Sequence, residues 1–217
     1  MKSSIAVVGP GAIGGTVAAH LIHASRHDIT LCGRTRFAEL HIDLPDGGSL
    51  TSMPNVLVDP AAASPFDWVF VATKAYDTAG AARWLEKLAG PATHVAILQN
   101  GVEHLERFCD HVPTARLLPV MVDLPAERSA PGRIRQRRRG VLRVPASAAG
   151  REFAALFAGA DLDAATTPDF LTVAWRKLAL NSIGAVNALT LRPAGVARDS
   201  AVAALMHTMV LEVIAVA

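Results

Sequence analysis

The stretch IAVVGPGAIGG, Ile5 to Gly15, constrains the fold of this chain more than any other. The run SIAVVG before the glycines is short, apolar and β-branched, as a central parallel strand requires. Gly9, Gly11 and Gly14 then fit G-x-G-x-x-G, and AIGGTVAAHLIHA continues in helix-compatible residues. DITLCGR supplies a second strand and closes a βαβ unit. The glycines have distinct mechanical roles. Gly9 permits the tight turn, Gly11 lets a pyrophosphate approach the backbone, and Gly14 lets helix and strand pack closely. Ala12 and Ile13 complete the loop, whose N–H groups at the helix N-terminus would hold the anion. A secretory signal needs an unbroken apolar helix, which Gly9, Pro10, Gly11, Gly14 and Gly15 interrupt. The expectation is a dinucleotide-binding α/β domain of Rossmann type.

The end of the second strand bears on the cofactor. A site for NAD expects Asp or Glu there to accept from the ribose 2′-OH, whereas a 2′-phosphate calls for a cation. The sequence reads LCGRTR, with no acid but with Arg34 and Arg36. A guanidinium matches phosphate in a bidentate way. NADP(H) is therefore expected, with Arg34 the better placed and Arg36 second.

Composition narrows the partners. Apolar residues make up 51% of the 217, enough for a sizeable core. The net charge of +2 gives no electrostatic reason to expect nucleic acid or an acidic membrane surface. Arg133, Arg135, Arg137, Arg138 and Arg139 lie on a predicted strand pair without interleaved aromatics, so they read as a solvated face. No apolar run reaches the ~18 residues of a membrane helix. Two cysteines, Cys32 and Cys109, point to a reducing compartment, the cytoplasm, with both thiols in the core. The histidines lack metal-ligand spacing, and His20 with His23 read as the first helix's surface.

Beyond the βαβ unit, HIDLPDGGSLTSM reads as an antiparallel excursion around Asp46 and Gly47. FDWVFVATKA is a buried strand and YDTAGAARWLEKLAG a helix. HVAILQNGVEHLERF repeats strand, turn and helix, RLLPVMVDLP is one further strand, and GRIRQRRRGVLRVP is two strands joined near Gly140. From Thr167, a predicted N-cap, the pattern becomes helical, first to RPAG and then from Ser200 to the end. The division is a dinucleotide domain over residues 1–165 and the start of a helical domain over 166–217. The last helix stops at LEVIAVA without a C-cap signal, as expected of an incomplete helical domain or of a chain that completes itself by dimerising. Lys177 and Asn181 lie four apart in the first of these helices, which is apolar almost all round and so expected to be mostly buried. The residues alone leave two alternatives for Lys177, a pocket-lining ammonium or a structural ion pair with Asp169 or Glu212.

The segments GPGAIGG, VATKA, LQNGVE and AWRKLALN, in this order and spacing, resemble those of the ketopantoate reductases across essentially the whole chain. The resemblance implies NADPH-dependent reduction of a 2-keto acid, 2-dehydropantoate, to pantoate on the route to pantothenate and coenzyme A; the alternatives are another 2-keto acid or opine-type dehydrogenase sharing the nucleotide domain, and a dinucleotide-binding module without turnover. It further implies that Lys177 is the catalytic lysine, that Asn181 binds substrate, and that Asn100 lies beside nicotinamide and substrate. Lys74 and the loop residues Gly9, Gly11, Ala12, Ile13 and Gly14 would contact the cofactor, and Arg34 the 2′-phosphate. A homodimer formed through the C-terminal helices is the expected assembly. Two features depart from the family pattern: Gly184 and Ala185 stand where a second asparagine is common, and an acid and a serine from later helices have no counterpart before Ala217.

Overall fold

The computed structural model describes residues 2–217 and divides into two compact units, one running through Pro168 and the other spanning Asp169–Ala217. In the first unit the strands are β1 (Ser4–Val8), β2 (Asp28–Cys32), β3 (Leu40–Asp43), β4 (Ser49–Ser52), β5 (Asn55–Leu57), β6 (Trp68–Val71) and β7 (His94–Ile97). They continue with β8 (Leu117–Pro119), β9 (Met121–Asp123), β10 (Ala126–Ala130), β11 (Arg133–Gln136), β12 (Gly140–Pro145) and β13 (Leu162–Thr167). Its helices are α1 (Ala12–His23), α2 (Thr78–Leu88) and α3 (Ala148–Leu156).

A six-stranded parallel sheet in the order β5-β2-β1-β6-β7-β8 forms the centre. Its strands are buried on both faces, and the two-residue period divides them between two apolar layers. Ile5, Val7, Trp68, Phe70 and Ala96 enter one layer; Ala6, Val8, Val69, Val71, Val95 and Ile97 enter the other with Ala81, Trp84, Leu85 and Leu88 of α2.

Helix α1 has a second cover. It packs on β1 and β2 and also on β3, β4, β10 and β11, which belong to a four-stranded sheet ordered β10-β11-β3-β4. Every residue from Gly14 to Leu21 is buried, which is why this helix is apolar on all faces. His20 is therefore an interior residue and not a surface one: it is 3% exposed, and its Nε2 lies 2.8 Å from Oε1 of Gln136. Burial holds its pKa below the ordinary value, opposed by the Gln136 bond.

Several local expectations change. RLLPVMVDLP forms two short strands: β8 closes the central sheet, and β9 pairs antiparallel with β12 in a three-stranded sheet completed by β13. Strands β11 and β12 are likewise neighbours in sequence but belong to different sheets. The expected helix after Asn100 is a series of turns instead, since His104 is buried and its Nε2 bonds the Gln99 carbonyl at 3.0 Å. Cys32 is buried, with its thiol pKa pushed up to about 12 by burial, whereas Cys109 is exposed.

The second unit consists of α4 (Phe170–Thr190) and α5 (Ser200–Val216), packed on each other and joined by a 3-10 turn at Ala194–Arg198. Thr167 ends β13 opposite Pro145, so the N-cap of α4 moves to Asp169, whose carboxylate accepts from Thr172 N at 3.3 Å. Only Ala174 and Val186 of α4 are fully buried, while Leu171, Leu180 and Leu189 are exposed. The mostly buried helix expected from its apolar composition is not what the chain forms here. Among the described residues no helix is long and apolar enough to cross a membrane.

Candidate functional site

A cavity of about 680 Å³ opens at the carboxyl ends of β1, β2, β6 and β7, where parallel sheets of this kind receive ligands. Gly9, Gly11, Ala12, Ile13, Arg34, Lys74 and Asn100 all line it. Gly14 lies behind the loop and does not, and Arg36 is not among the lining residues.

The glycine loop is built by backbone geometry. Gly9 adopts φ +87° and donates its N–H to the Cys32 carbonyl at 2.9 Å, which anchors the turn to the end of β2. A Cβ on Gly14 would lie 2.5 Å from the Gly9 carbonyl oxygen and 2.9 Å from Ala72 Cβ, so side-chain-free packing of helix on strand is obligatory. A Cβ on Gly11 would meet nothing closer than 4.0 Å. Its open face is on the cavity side of the helix N-terminus, where first-turn N–H groups have no helical partner and Gly11 has no side chain to cap them. Backbone donors, helix dipole and open space together fit a pyrophosphate. No acid stands at the end of β2, and Arg34 is 90% exposed there.

The opposite wall is held by residues the sequence did not single out. Gln99 is 3% exposed and donates its side-chain amide to Thr73 Oγ1 at 2.9 Å and to the Lys74 carbonyl at 3.3 Å. Arg107 donates to the Asn100 carbonyl at 3.0 Å and packs against Gly101, which is at φ +113°. The two clamps fix the backbone around Lys74 and Asn100 while both of these side chains stay exposed. Asp77, Arg83 and Arg128 also line the cavity. Asp77 and Arg83 were legible only as helix residues, and Arg128 comes from β10 of the smaller sheet, which no motif announces.

The arginines of β11 and the segment after it have acidic neighbours: Arg133 with Glu39, Arg135 with Asp43, Arg137 with Glu127, Arg138 with Asp123 and Arg139 with Asp161. A face neutralised in this way offers little to a polyanion. In the second unit, Lys177 is half-buried on α4 and Asn181, one turn later, is exposed. Among the described residues no cluster of His, Cys, Asp or Glu could hold a metal.

A parallel sheet with a glycine loop at the first strand–helix junction is a Rossmann-like α/β architecture, the class of fold that carries nicotinamide dinucleotides. The chain belongs to the ketopantoate reductase PanE/ApbA family, whose family model matches residues 5–149. That makes it one of the NAD(P)-dependent oxidoreductases acting on CH–OH groups. The 2-dehydropantoate 2-reductase of Caulobacter vibrioides is 50% identical over 214 residues, 99% of this chain and 73% of that one. The enzyme of the same name from Mycobacterium tuberculosis is 39% identical over 219 residues, 100% of this chain and 74% of its own. Among solved structures, a PanE/ApbA family ketopantoate reductase from Ralstonia eutropha superposes with TM-score 0.88 at 27% identity, covering 98% of this chain and 73% of that chain.

Proposed function

We propose that the protein reduces 2-dehydropantoate to pantoate with NADPH, on the cytoplasmic route to pantothenate and coenzyme A. The substrate assignment follows the names of relatives at 50% and 39% identity. The cofactor assignment rests on one observation: Arg34 lines the cavity at the end of β2, where an acid would otherwise read an unphosphorylated ribose. The unit through Pro168 is the cofactor domain, and the helices after it serve substrate binding and homodimer formation.

When bound, the nicotinamide supplies hydride to the ketone carbon. Ala12 and Ile13 offer their backbone N–H groups to the pyrophosphate, Gly9 and Gly11 shape the loop around it with their own N–H groups bonded to the Cys32 and Gly9 carbonyls, and Gly14 keeps the helix close behind them. Arg34 takes the 2′-phosphate, and Lys74 adds positive charge on the same rim. Asn100 and Asn181 orient the 2-keto acid through their amides. Lys177 presents an ammonium to the carbonyl oxygen, stabilises the charge that develops there and donates the proton that completes the alcohol.

The test is NADPH oxidation by this protein over a panel of 2-keto acids. Turnover with 2-dehydropantoate well above that with pyruvate or phenylglyoxylate is expected. Equal turnover across the panel would overturn the substrate assignment, and tight NADPH binding with no turnover on any keto acid would overturn the reaction.

A further inference from the structure

We infer that Asp77 sets the cofactor selectivity of this site by serving as resident counter-ion to Arg34 and competing with the 2′-phosphate for the same guanidinium. The inference rests on the assignment of Arg34 to that phosphate.

Its basis is the charge layout of the cavity. Four cations line it, Arg34, Lys74, Arg83 and Arg128, and Asp77 is the single acid among the lining residues. That acid faces Arg34: Oδ2 of Asp77 is 3.9 Å from Nη1 of Arg34. The position in the helix makes this orientation informative. Asp77 is the N-cap of α2, where an aspartate ordinarily accepts from the N–H groups of the first turn. Here it makes no such bond. Its carboxylate leans over Gly80, where any Cβ would collide with Asp77 Oδ1. The glycine leaves room for a carboxylate that caps nothing and is directed at the arginine on the cavity wall.

The consequence follows from charge. A phosphate monoester carries about −1.5 to −2 at neutral pH. When it pairs with Arg34 it must share the guanidinium with Asp77 or displace it, and either costs free energy. A ligand with a 2′-hydroxyl meets no such cost. Asp77 thus holds down the preference for the phosphorylated dinucleotide that Arg34 creates.

The experiment measures NADPH and NADH affinities by calorimetry for the wild type, Asp77→Asn, Arg34→Ala and the double variant. Asp77→Asn is expected to tighten NADPH by about three- to tenfold at low salt while leaving NADH within about twofold. The gain should shrink at high salt, because exposed charges are screened, and should vanish in the Arg34→Ala background. Asp77→Ser, which removes the charge and places a residue favoured at helix N-caps, gives the same comparison should the asparagine variant fail to fold. NADPH binding that is unchanged or weaker would overturn the inference, as would a ratio that rises only because NADH binding falls. Arg34→Ala separates the two levels: if it leaves NADPH affinity unchanged, the assignment of Arg34 fails. If it weakens NADPH while Asp77→Asn does not tighten it, only the role of Asp77 fails.

Discussion

Gln99 reaches across from the end of β7 and donates its side-chain amide to Thr73 Oγ1 at 2.9 Å, tying together the two loops that carry Asn100 and Lys74. The same nitrogen bonds the Lys74 carbonyl at 3.3 Å, so an amide oxygen could not replace it in this orientation. Gln99→Glu should therefore be worse than Gln99→Leu, because it sets a carboxylate against a carbonyl in a buried place. Urea unfolding should register a loss of about 1–3 kcal/mol for the leucine variant and more for the glutamate one. NADPH affinity should fall in both as the Lys74 loop loosens. A glutamate variant as stable as the leucine variant would contradict the geometry.

Gly11 and Gly14 are both parts of one motif but should fail in different ways. A methyl at residue 14 would stand 2.5 Å from the Gly9 carbonyl oxygen and 3.1 Å from Val7 Cγ1. Gly14→Ala is expected to cost about 1–3 kcal/mol of stability through overpacking between helix and strand. A methyl at residue 11 meets nothing closer than 4.0 Å and enters only the cavity approach. Gly11→Ala should keep wild-type thermal stability and lose dinucleotide affinity. Melting temperature and NADPH titration of the two variants, measured together, would expose any reversal of that order.

Much of this division could be read in advance. The βαβ frame was legible because each of its signals is local: β-branched runs, glycine spacing and an arginine two residues past β2. Of the smaller sheet only the hairpin around Asp46 and Gly47 was legible, because the pairing that joins Leu40–Asp43 to Arg133–Gln136 spans some ninety residues, and no periodicity records a partner. His20 was misplaced for the same reason. Its place beside His23 suggests a solvent face until a second sheet covers the helix, and the Gln136 that meets its ring lies 116 positions away. Asp77 was visible only as one residue of a predicted helix, and only the fold turns it toward Arg34.

Three histidines make stability depend on pH. Burial is the largest influence on His20, His27 and His104, and it holds each pKa below the ordinary value of 6.5. The unfolded chain therefore binds protons at a higher pH than the folded one. Stability is complete above about pH 6.5 and falls as the pH drops toward the depressed folded values. The urea midpoint should be lower at about pH 5.5 than at about pH 7.5, and His20→Gln should reduce that difference. A midpoint that stays constant or rises on acidification would contradict the burial of these rings.

Lys177 and Asn181 share one face of α4, four residues apart, and the proposed chemistry gives them separable roles. Removal of the ammonium in Lys177→Ala should lower turnover by about 10²–10⁴, the range associated with a positioned proton donor, while NADPH affinity stays at the wild-type value. Lys177→Arg tests charge against proton transfer: the guanidinium keeps the positive charge but does not release a proton in a protein. It should therefore recover only the electrostatic part of the loss. Asn181→Ala, by contrast, should act mainly through substrate, raising KM with a smaller effect on kcat, as expected when binding shared by ground and transition states is removed. Steady-state kinetics on 2-dehydropantoate would distinguish these contributions. An arginine variant with full turnover would assign Lys177 a purely electrostatic part and move the proton donor elsewhere.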